Sequence, residues 1–506
     1  MIREVKTENG LVRGLPAADP RITAFKGIPF AAPPVGENRW RAPQPCKNWD
    51  GVLEAYQFAP ISMQDTPGLS TDIYCKEWHV DPDIPMDEDC LYLNVWTNAK
   101  STDEKLPVFV WYYGGGLQWG YPAEMEFDGE RIARRGVIVV TVNYRINVFG
   151  FLTHPEITKE SPDAPANFGH LDQQAGLRWV IRNIEAFGGD PQNITIGGQS
   201  AGAGSVMTQI TSPTNFGSFK KALVMSGIID SPYGPSAFPF GSSKLADTEK
   251  LGELFFDYIG AANLEEARAM DARYVLTKYS EFRNTRMKWM GTVIDDKFVV
   301  GNASKLYRQN KHAHVSIMAG NTGDEFLNTI IASDADEYEK KVEELFGDKK
   351  DIFLSFPESS NKLAENQYAP VSGIECAIKS MFLTNKEYGN KENNYYYSFN
   401  ANIPGEDHPG TFHSVDLWFF FETLAKCWRP FQGDNYDLSR KMCNYLTNFI
   451  KNGDPNGTDS DGTPMPHWDA YSKDCPCGID FRTDGIKVTR EETPFKQFLI
   501  DVMKEK

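Results

Sequence analysis

Cysteine is scarce, with eight in 506 residues, and that excludes a scaffold built on disulfides. The one closely spaced pair, Cys475-Pro476-Cys477, has the wrong spacing for a zinc site and reads as a loop. Long hydrophobic runs are missing as well. The longest candidate, Val137-Ile138-Val139-Val140-Thr141-Val142, is far short of the ~20 residues that span a bilayer, and reads as a buried strand. The first residues, Met1 to Lys6, hold no apolar stretch of the kind that directs secretion. The expectation is therefore a cytoplasmic protein with reduced thiols and no membrane insertion. Basic charge is in deficit: 52 Lys and Arg stand against 69 Asp and Glu, for a net charge of -17. With no basic stripe to offset this, nucleic acid is excluded as a partner, and an anionic membrane surface is disfavoured. What remains is 41% hydrophobic and 24% charged, an ordinary soluble globular composition with ample length for a large core.

One short stretch organises the rest. Asn193-Ile194-Thr195-Ile196 reads as a strand, and it leads into Gly198-Gln199-Ser200-Ala201-Gly202. The small residues from Ala201 to Val206 then start a helix. Strand, sharp turn and helix with serine at the apex is the context of a nucleophile elbow. The glycines fit because side chains two residues either side of the serine would strike the flanking strand and helix. Around this turn, strand-like runs (Leu91 to Trp96, Val108 to Tyr112, Val137 to Val142, Lys221 to Met225, Val315 to Ala319) alternate with helical spacing such as Leu171 to Ile184. This predicts an α/β fold: a mostly parallel central sheet with helices on both faces and its site at the carboxyl ends of the strands. Residues 230–310 and 330–400 are mainly helical and polar, and are expected to be insertions capping the sheet. The acidic, irregular stretch 61–89 is expected to lie as a loop over something.

A serine hydroxyl needs a base, and the base needs a group that fixes its tautomer. After an elbow of this kind the partners follow in the order acid, then histidine. Asp324 and Glu325 compete for the first role, directly after the strand 315–319. His408, His413 and His467 qualify for the second by order, with His413 in a glycine-opened loop before an apolar helix. A tetrahedral intermediate also needs donors. Gly114-Gly115-Gly116 follows the strand 108–112, and the N–H of Ala201 adds a further donor. No Gly-Lys-Ser/Thr follows the triple glycine, so it is not a phosphate cradle.

With these pieces placed, the chain resembles the type-B carboxylesterase and cholinesterase family, most of all the bacterial para-nitrobenzyl-esterase-like carboxylesterases. The likeness runs from about residue 5 to about residue 472 through ordered motifs: Phe25-Lys26-Gly27-Ile28-Pro29-Phe30-Ala31, Glu88-Asp89-Cys90-Leu91-Tyr92-Leu93-Asn94-Val95, Asn143-Tyr144-Arg145, Leu171-Asp172-Gln173, Phe187-Gly188-Gly189-Asp190-Pro191 and Gly453-Asp454-Pro455-Asn456-Gly457. The resemblance implies one α/β-hydrolase domain over residues 1–506 and a triad of Ser200, Glu325 and His413, glutamate being the family's acid. It implies oxyanion donors at Gly115, Gly116 and Ala201, and supporting residues at Gln199, Ser226 and Asp416. Three departures stand out. Gln199 replaces the usual glutamate, which weakens any case for a choline substrate. Phe326 follows the acid where glycine is usual. The cysteine that pairs with Cys90 in the family is absent from Pro60-Ile61-Ser62-Met63-Gln64, leaving Cys75 as the one alternative partner.

The expected activity is hydrolysis of small carboxylic esters through an acyl-enzyme, with no metal or cofactor. A lipase, thioesterase or lactonase on the same fold is the alternative, and a non-catalytic adhesion protein is the remote one. Leu117, Trp119, Trp289 and Trp418 are expected to line the substrate pocket, with core packing as the competing explanation for the aromatic run that follows Trp418.

Overall fold

The structure, a computed structural model, describes residues 1–228, 230–234, 243–286, 288–325, 330–359 and 371–505. Eleven strands form its large sheet: β1 (Leu15–Pro16), β2 (Thr23–Pro29), β3 (Tyr92–Thr97), β4 (Leu106–Tyr112), β5 (Ile138–Val142), β6 (Gly189–Gln199), β7 (Lys221–Met225), β8 (Ser316–Thr322), β9 (Tyr395–Phe399), β10 (Gly478–Phe481) and β11 (Lys487–Thr489). Across the sheet they lie in the order β11-β10-β9-β8-β7-β6-β4-β5-β3-β2-β1. The six adjacent pairings from β5 to β10 are parallel, and the four at the edges are antiparallel. The parallel centre is apolar because both of its faces are covered. Ile138 to Val140, Val108 to Tyr112 and Ala222 to Met225 are all fully buried.

Helices cover both faces of the sheet, as expected of an α/β-hydrolase fold. Phe168–Asn183 and Ala201–Thr211 pack beside β6, and Gly433–Asn452 packs on β4 and β6. The helix Phe168–Asn183 is fastened to the loop after β5 by a buried bidentate pair. Arg145 donates to Asp172 through Nε at 2.8 Å and Nη2 at 2.7 Å, and its backbone N–H adds a third bond.

The strand order reverses at β4, which has β5 on one side and the later β6 on the other. The loops leaving β4 and β6 therefore diverge and open a crevice at their carboxyl ends. Parallel register brings the strand ends level: Tyr112 pairs with Gly198, Met225 with Gln199, and Met225 with Gly320. The glycine loop, the elbow serine and the Asp324-Glu325 turn thus leave one rim.

The stretch 230–310 carries helices, among them Leu245–Ile259 and Ala272–Arg286, which pack against each other. The reading of 330–400 needs correction. Its helices, Ala335–Phe346 and Gly373–Glu387, end before Tyr395–Phe399, which is a central strand paired with β8 and β10. Buried on both faces, β9 has no polar alternation to mark it as a strand. The late strands β10 and β11 were likewise not expected. Phe326 lies outside the described residues, as do parts of both insertions.

Candidate functional site

β6 runs straight into Ser200, whose backbone sits at φ 54°, ψ -123°. A non-glycine residue there costs on the order of 1–3 kcal/mol and needs its surroundings to hold it. The Ser200 N–H donates to the Met225 carbonyl at 2.8 Å, and the Ser200 carbonyl accepts from Gly204 at 2.9 Å. The flanking glycines are sterically required. A Cβ on Gly198 would overlap the backbone of Gly202, and one on Gly202 would overlap the carbonyl oxygen of Tyr112 at the end of β4. We expect Gly202→Ala to push the elbow off β4, destabilising the fold by roughly 1–3 kcal/mol as overpacking does. We also expect it to lower ester hydrolysis at least ~100-fold, the usual result of a 1 Å misplacement. Denaturant melts and steady-state rates check both effects; wild-type values in the two would contradict this steric account.

Beyond β8, Glu325 is fully buried. Its Oε2 accepts from His413 Nδ1 at 2.6 Å, while its Oε1 accepts the Thr322 hydroxyl at 2.9 Å and the Thr322 N–H at 3.2 Å. Burial alone would raise its pKa. The charge and hydrogen bond of His413, with help from Ser226 and Thr322, outweigh this and hold the carboxyl below its ordinary range. The neighbouring Asp324 does something else. Its Oδ2 accepts the Thr411 N–H at 2.7 Å and the Thr411 hydroxyl, tying down the loop that carries His413. His408 and His467 are exposed on the surface, the latter against Asp469.

The other ring nitrogen of His413 faces Gln199, with Nε2 to Nε2 at 3.2 Å. An amide nitrogen can only donate, so the imidazole accepts there and carries its proton on Nδ1, toward Glu325. Ser200, Gln199, Ser226 and His413 all border one cavity of about 440 Å³. Asp416 sits behind it, fully buried, with the Tyr397 hydroxyl donating to Oδ2 at 2.9 Å. Burial pushes its carboxyl up to about 7. Ser226, at φ 50°, faces the Glu325 carboxylate and helps hold it ionised, without a well-formed hydrogen bond in its present rotamer.

Gln199 sets an uncharged amide against the imidazole, and we expect Gln199→Glu to favour the imidazolium. An opposite charge within ~4–6 Å raises a histidine pKa, so the free base appears only at higher pH. The acid limb of kcat/KM should move up by about one pH unit in a profile with p-nitrophenyl butyrate. An unmoved limb would count against the Gln199–His413 contact.

Gly115 and Gly116, at φ 103° and 65°, curl the loop after β4 around the same cavity. Neither their N–H groups nor that of Ala201 donates to any acceptor among the described residues. The loop is braced by residues the sequence did not single out. Gln64 exchanges two hydrogen bonds with Gly120, at 2.8 and 2.9 Å. Gln118 donates to the Met290 carbonyl and accepts from the Tyr279 hydroxyl, which reaches in from the helix Ala272–Arg286.

Trp119 and Trp289 border the cavity and meet edge to face, with centroids 5.4 Å apart. Trp119 is held by its Nε1–H to Asp65 and by Arg283 over its ring. Leu117 and Trp418 do not line it, contrary to expectation. Leu117 turns into the core at φ 58°. On its short helix Leu417 takes the cavity side, leaving Trp418 in the core with Phe419 and Phe420. The acidic stretch 61–89 does lie over the site: Gln64, Asp65, Asp72, Cys75, Trp78 and His79 form one wall. Cys75 and the fully buried Cys90 are free thiols, as are the other six cysteines.

Comparison with known proteins finds relatives along most of the chain. The carboxylesterase family matches over residues 2–493. A fumonisin B1 esterase of Sphingopyxis macrogoltabida is 33% identical over 83% of this chain and 75% of its own length. A cholinesterase of Mus musculus is 29% identical over 91% of this chain and 81% of its own. Among solved structures, a Geobacillus stearothermophilus carboxylesterase superposes with a TM-score of 0.78 at 27% identity, covering 98% of this chain and all of that one. A PNB esterase gives 0.77 at 25%, covering 99% and 100%.

Proposed function

The chain belongs to the carboxylesterase family and is a carboxylic-ester hydrolase, and we propose that it works through an acyl-enzyme made by Ser200, His413 and Glu325. The observation that supports this best is the short His413–Glu325 bond, with the opposite ring nitrogen directed into the cavity that Ser200 borders. Ser200 Oγ attacks the ester carbonyl as His413 Nε2 takes its proton. Glu325 keeps the imidazole in the Nδ1–H tautomer and stabilises the imidazolium. The Gly115, Gly116 and Ala201 N–H groups receive the oxyanion; each such donor is worth roughly 3–4 kcal/mol in the transition state. The imidazolium returns its proton to the leaving alcohol. Water then enters and adds to the acyl carbonyl as His413 takes its proton; the imidazolium passes that proton to Ser200 Oγ as the acyl–Oγ bond breaks and the acid leaves. For Gln199, the mechanism requires its amide to yield Nε2 to the serine hydroxyl before attack.

The test is pre-steady-state hydrolysis of p-nitrophenyl butyrate, with the reaction quenched in acid. A burst approaching one p-nitrophenol per chain is expected, with a butyryl group on the peptide that contains Ser200. A butyryl group on another residue would refute the assignment. The same triad serves thioesters and lactones, so relative rates on soluble short esters, thioesters and emulsified long-chain esters rank the substrate classes.

A further inference from the structure

The two residues after the oxyanion glycines, Gln118 and Trp119, close a tight turn. Their backbone N–H groups both donate to the Gly115 carbonyl, at 2.9 and 3.0 Å. A Cβ on Gly115 would overlap the Trp119 carbonyl oxygen, so the turn has no slack. Two donors on one oxygen fix the plane of the peptide that joins Gly115 to Gly116. A trans peptide is planar, so its N–H points opposite to its carbonyl. The direction of the Gly116 N–H is therefore set by where residues 118 and 119 sit.

Both residues are gripped by one helix of the insertion, Ala272–Arg286. Tyr279 is fully buried. Its hydroxyl accepts the Met290 N–H at 3.0 Å and donates to Gln118 Oε1 at 2.7 Å. Gln118 Nε2 donates on to the Met290 carbonyl at 2.8 Å, and the three groups close a ring. Four residues further along the same helix face, Arg283 lies over the Trp119 ring and donates to Asp65 Oδ2 at 2.9 Å. That oxygen also accepts the Trp119 Nε1–H, and Ser280 donates to the other carboxylate oxygen at 2.6 Å. Trp119 borders the cavity, whereas Gln118 and Tyr279 do not. An effect of those two on the reaction must pass through the backbone between Gly115 and Trp119.

We propose that Tyr279 is a positioning residue for ester hydrolysis: through Gln118 it holds the Gly115–Gly116 peptide so that the Gly116 N–H meets the oxyanion. This rests on the reading of Ser200 as the nucleophile and of the glycine loop as the oxyanion hole. It adds the part of the insertion that keeps that loop in register. The carbonyl of a bound ester is neutral and asks little of the donor, while the charge that develops on attack asks most. A small rotation of the peptide therefore slows the chemical step and spares binding.

Steady-state hydrolysis of p-nitrophenyl butyrate by Tyr279→Phe tests this, since phenylalanine keeps the buried ring and removes only the oxygen. We expect kcat to fall ~10- to 100-fold, up to the lower end of what loss of a whole oxyanion donor causes, with KM within about twofold. Two ketones of one chain length separate the charged from the neutral state. The carbonyl carbon of 1,1,1-trifluoro-2-hexanone bonds to Ser200 Oγ, the hydroxyl proton passes to His413, and the carbonyl oxygen becomes an oxyanion in the loop. Plain 2-hexanone competes as a neutral ketone. The inhibition constant of the fluoroketone should rise by the factor that kcat/KM falls, and that of 2-hexanone should stay within about twofold. Gln118→Met should behave alike. It leaves the Tyr279 hydroxyl on the Met290 N–H, and it decides the matter if Tyr279→Phe does not fold. Unchanged kcat and fluoroketone inhibition in a folded variant would overturn the proposal. So would equal weakening of both ketones with a matching rise in KM, which marks a slack cavity wall. The acid-quenched wild type checks the reading beneath: with its butyryl group on Ser200, either of those results refutes the positioning role alone.

Discussion

In Ser200→Ala, kcat for p-nitrophenyl butyrate falls roughly 10⁴- to 10⁶-fold, the range seen when a triad nucleophile is removed. Binding of substrate-sized ligands stays within about twofold. The reason lies in what the substitution leaves in place. Alanine keeps the Cβ, so the backbone at φ 54° is no more strained than before, and the N–H to Met225 and the carbonyl to Gly204 keep their bonds. His413 keeps Glu325 on one nitrogen and Gln199 on the other. Only the atom that would form the acyl bond is gone. The melting temperature should therefore match the wild type, as for substitutions that remove no buried contact. The residual rate reports what the oxyanion loop and the cavity achieve with water alone. Activity within tenfold of the wild type would mean that another group attacks the ester.

Much of this site is legible in the sequence because its chemistry demands particular residues at short spacing. Gly198 and Gly202 are forced by contacts within one strand-turn-helix unit, so the motif and its reason lie in five consecutive positions. The Asp324/Glu325 choice is not local. Spacing leaves both open, and the family resemblance favours Glu325. The structure gives the physical difference: one carboxyl faces His413, the other holds Thr411. Residues that brace the oxyanion loop were missed because their contacts are distant in sequence. Gln64 meets Gly120, and Gln118 meets Tyr279 on a helix of the insertion; neither contact leaves a periodic trace. Trp418 was misplaced by one position, since on a short helix the exchange of Leu417 for Trp418 swaps cavity for core. The central strand β9 hid for a related reason, its Tyr395 to Tyr397 being buried with no polar alternation.

Glu325→Gln should cost about 10⁴-fold in kcat while changing the structure little, as the loss of the orienting acid does in the serine-hydrolase template. The carboxylate now accepts from His413 Nδ1–H at 2.6 Å and from Thr322. An amide of the same shape can turn its NH₂ toward the ring. The imidazole then accepts at Nδ1 and carries its proton on Nε2, the nitrogen that must take the proton of Ser200. That same Nε2–H would face the Gln199 amide nitrogen, which is itself a donor, so Gln199 should turn its oxygen to the ring and lock the wrong tautomer in place. Charge adds to the tautomer effect. Glu325 is held ionised by His413 against the cost of its burial, and that attraction is largest when His413 is an imidazolium during attack. A folded-state pKa below the ordinary value is also a stability statement. The carboxylate contributes stability above its unfolded pKa, and that contribution is lost as pH falls through the lowered folded value. The wild type should therefore lose melting temperature on acidification more steeply than Glu325→Gln, which has no proton to gain at this position. Rates at pH 7 to 9 test the first part and melts at pH 3 to 7 the second. Near wild-type kcat in Glu325→Gln would remove Glu325 from the triad, whatever the melts show.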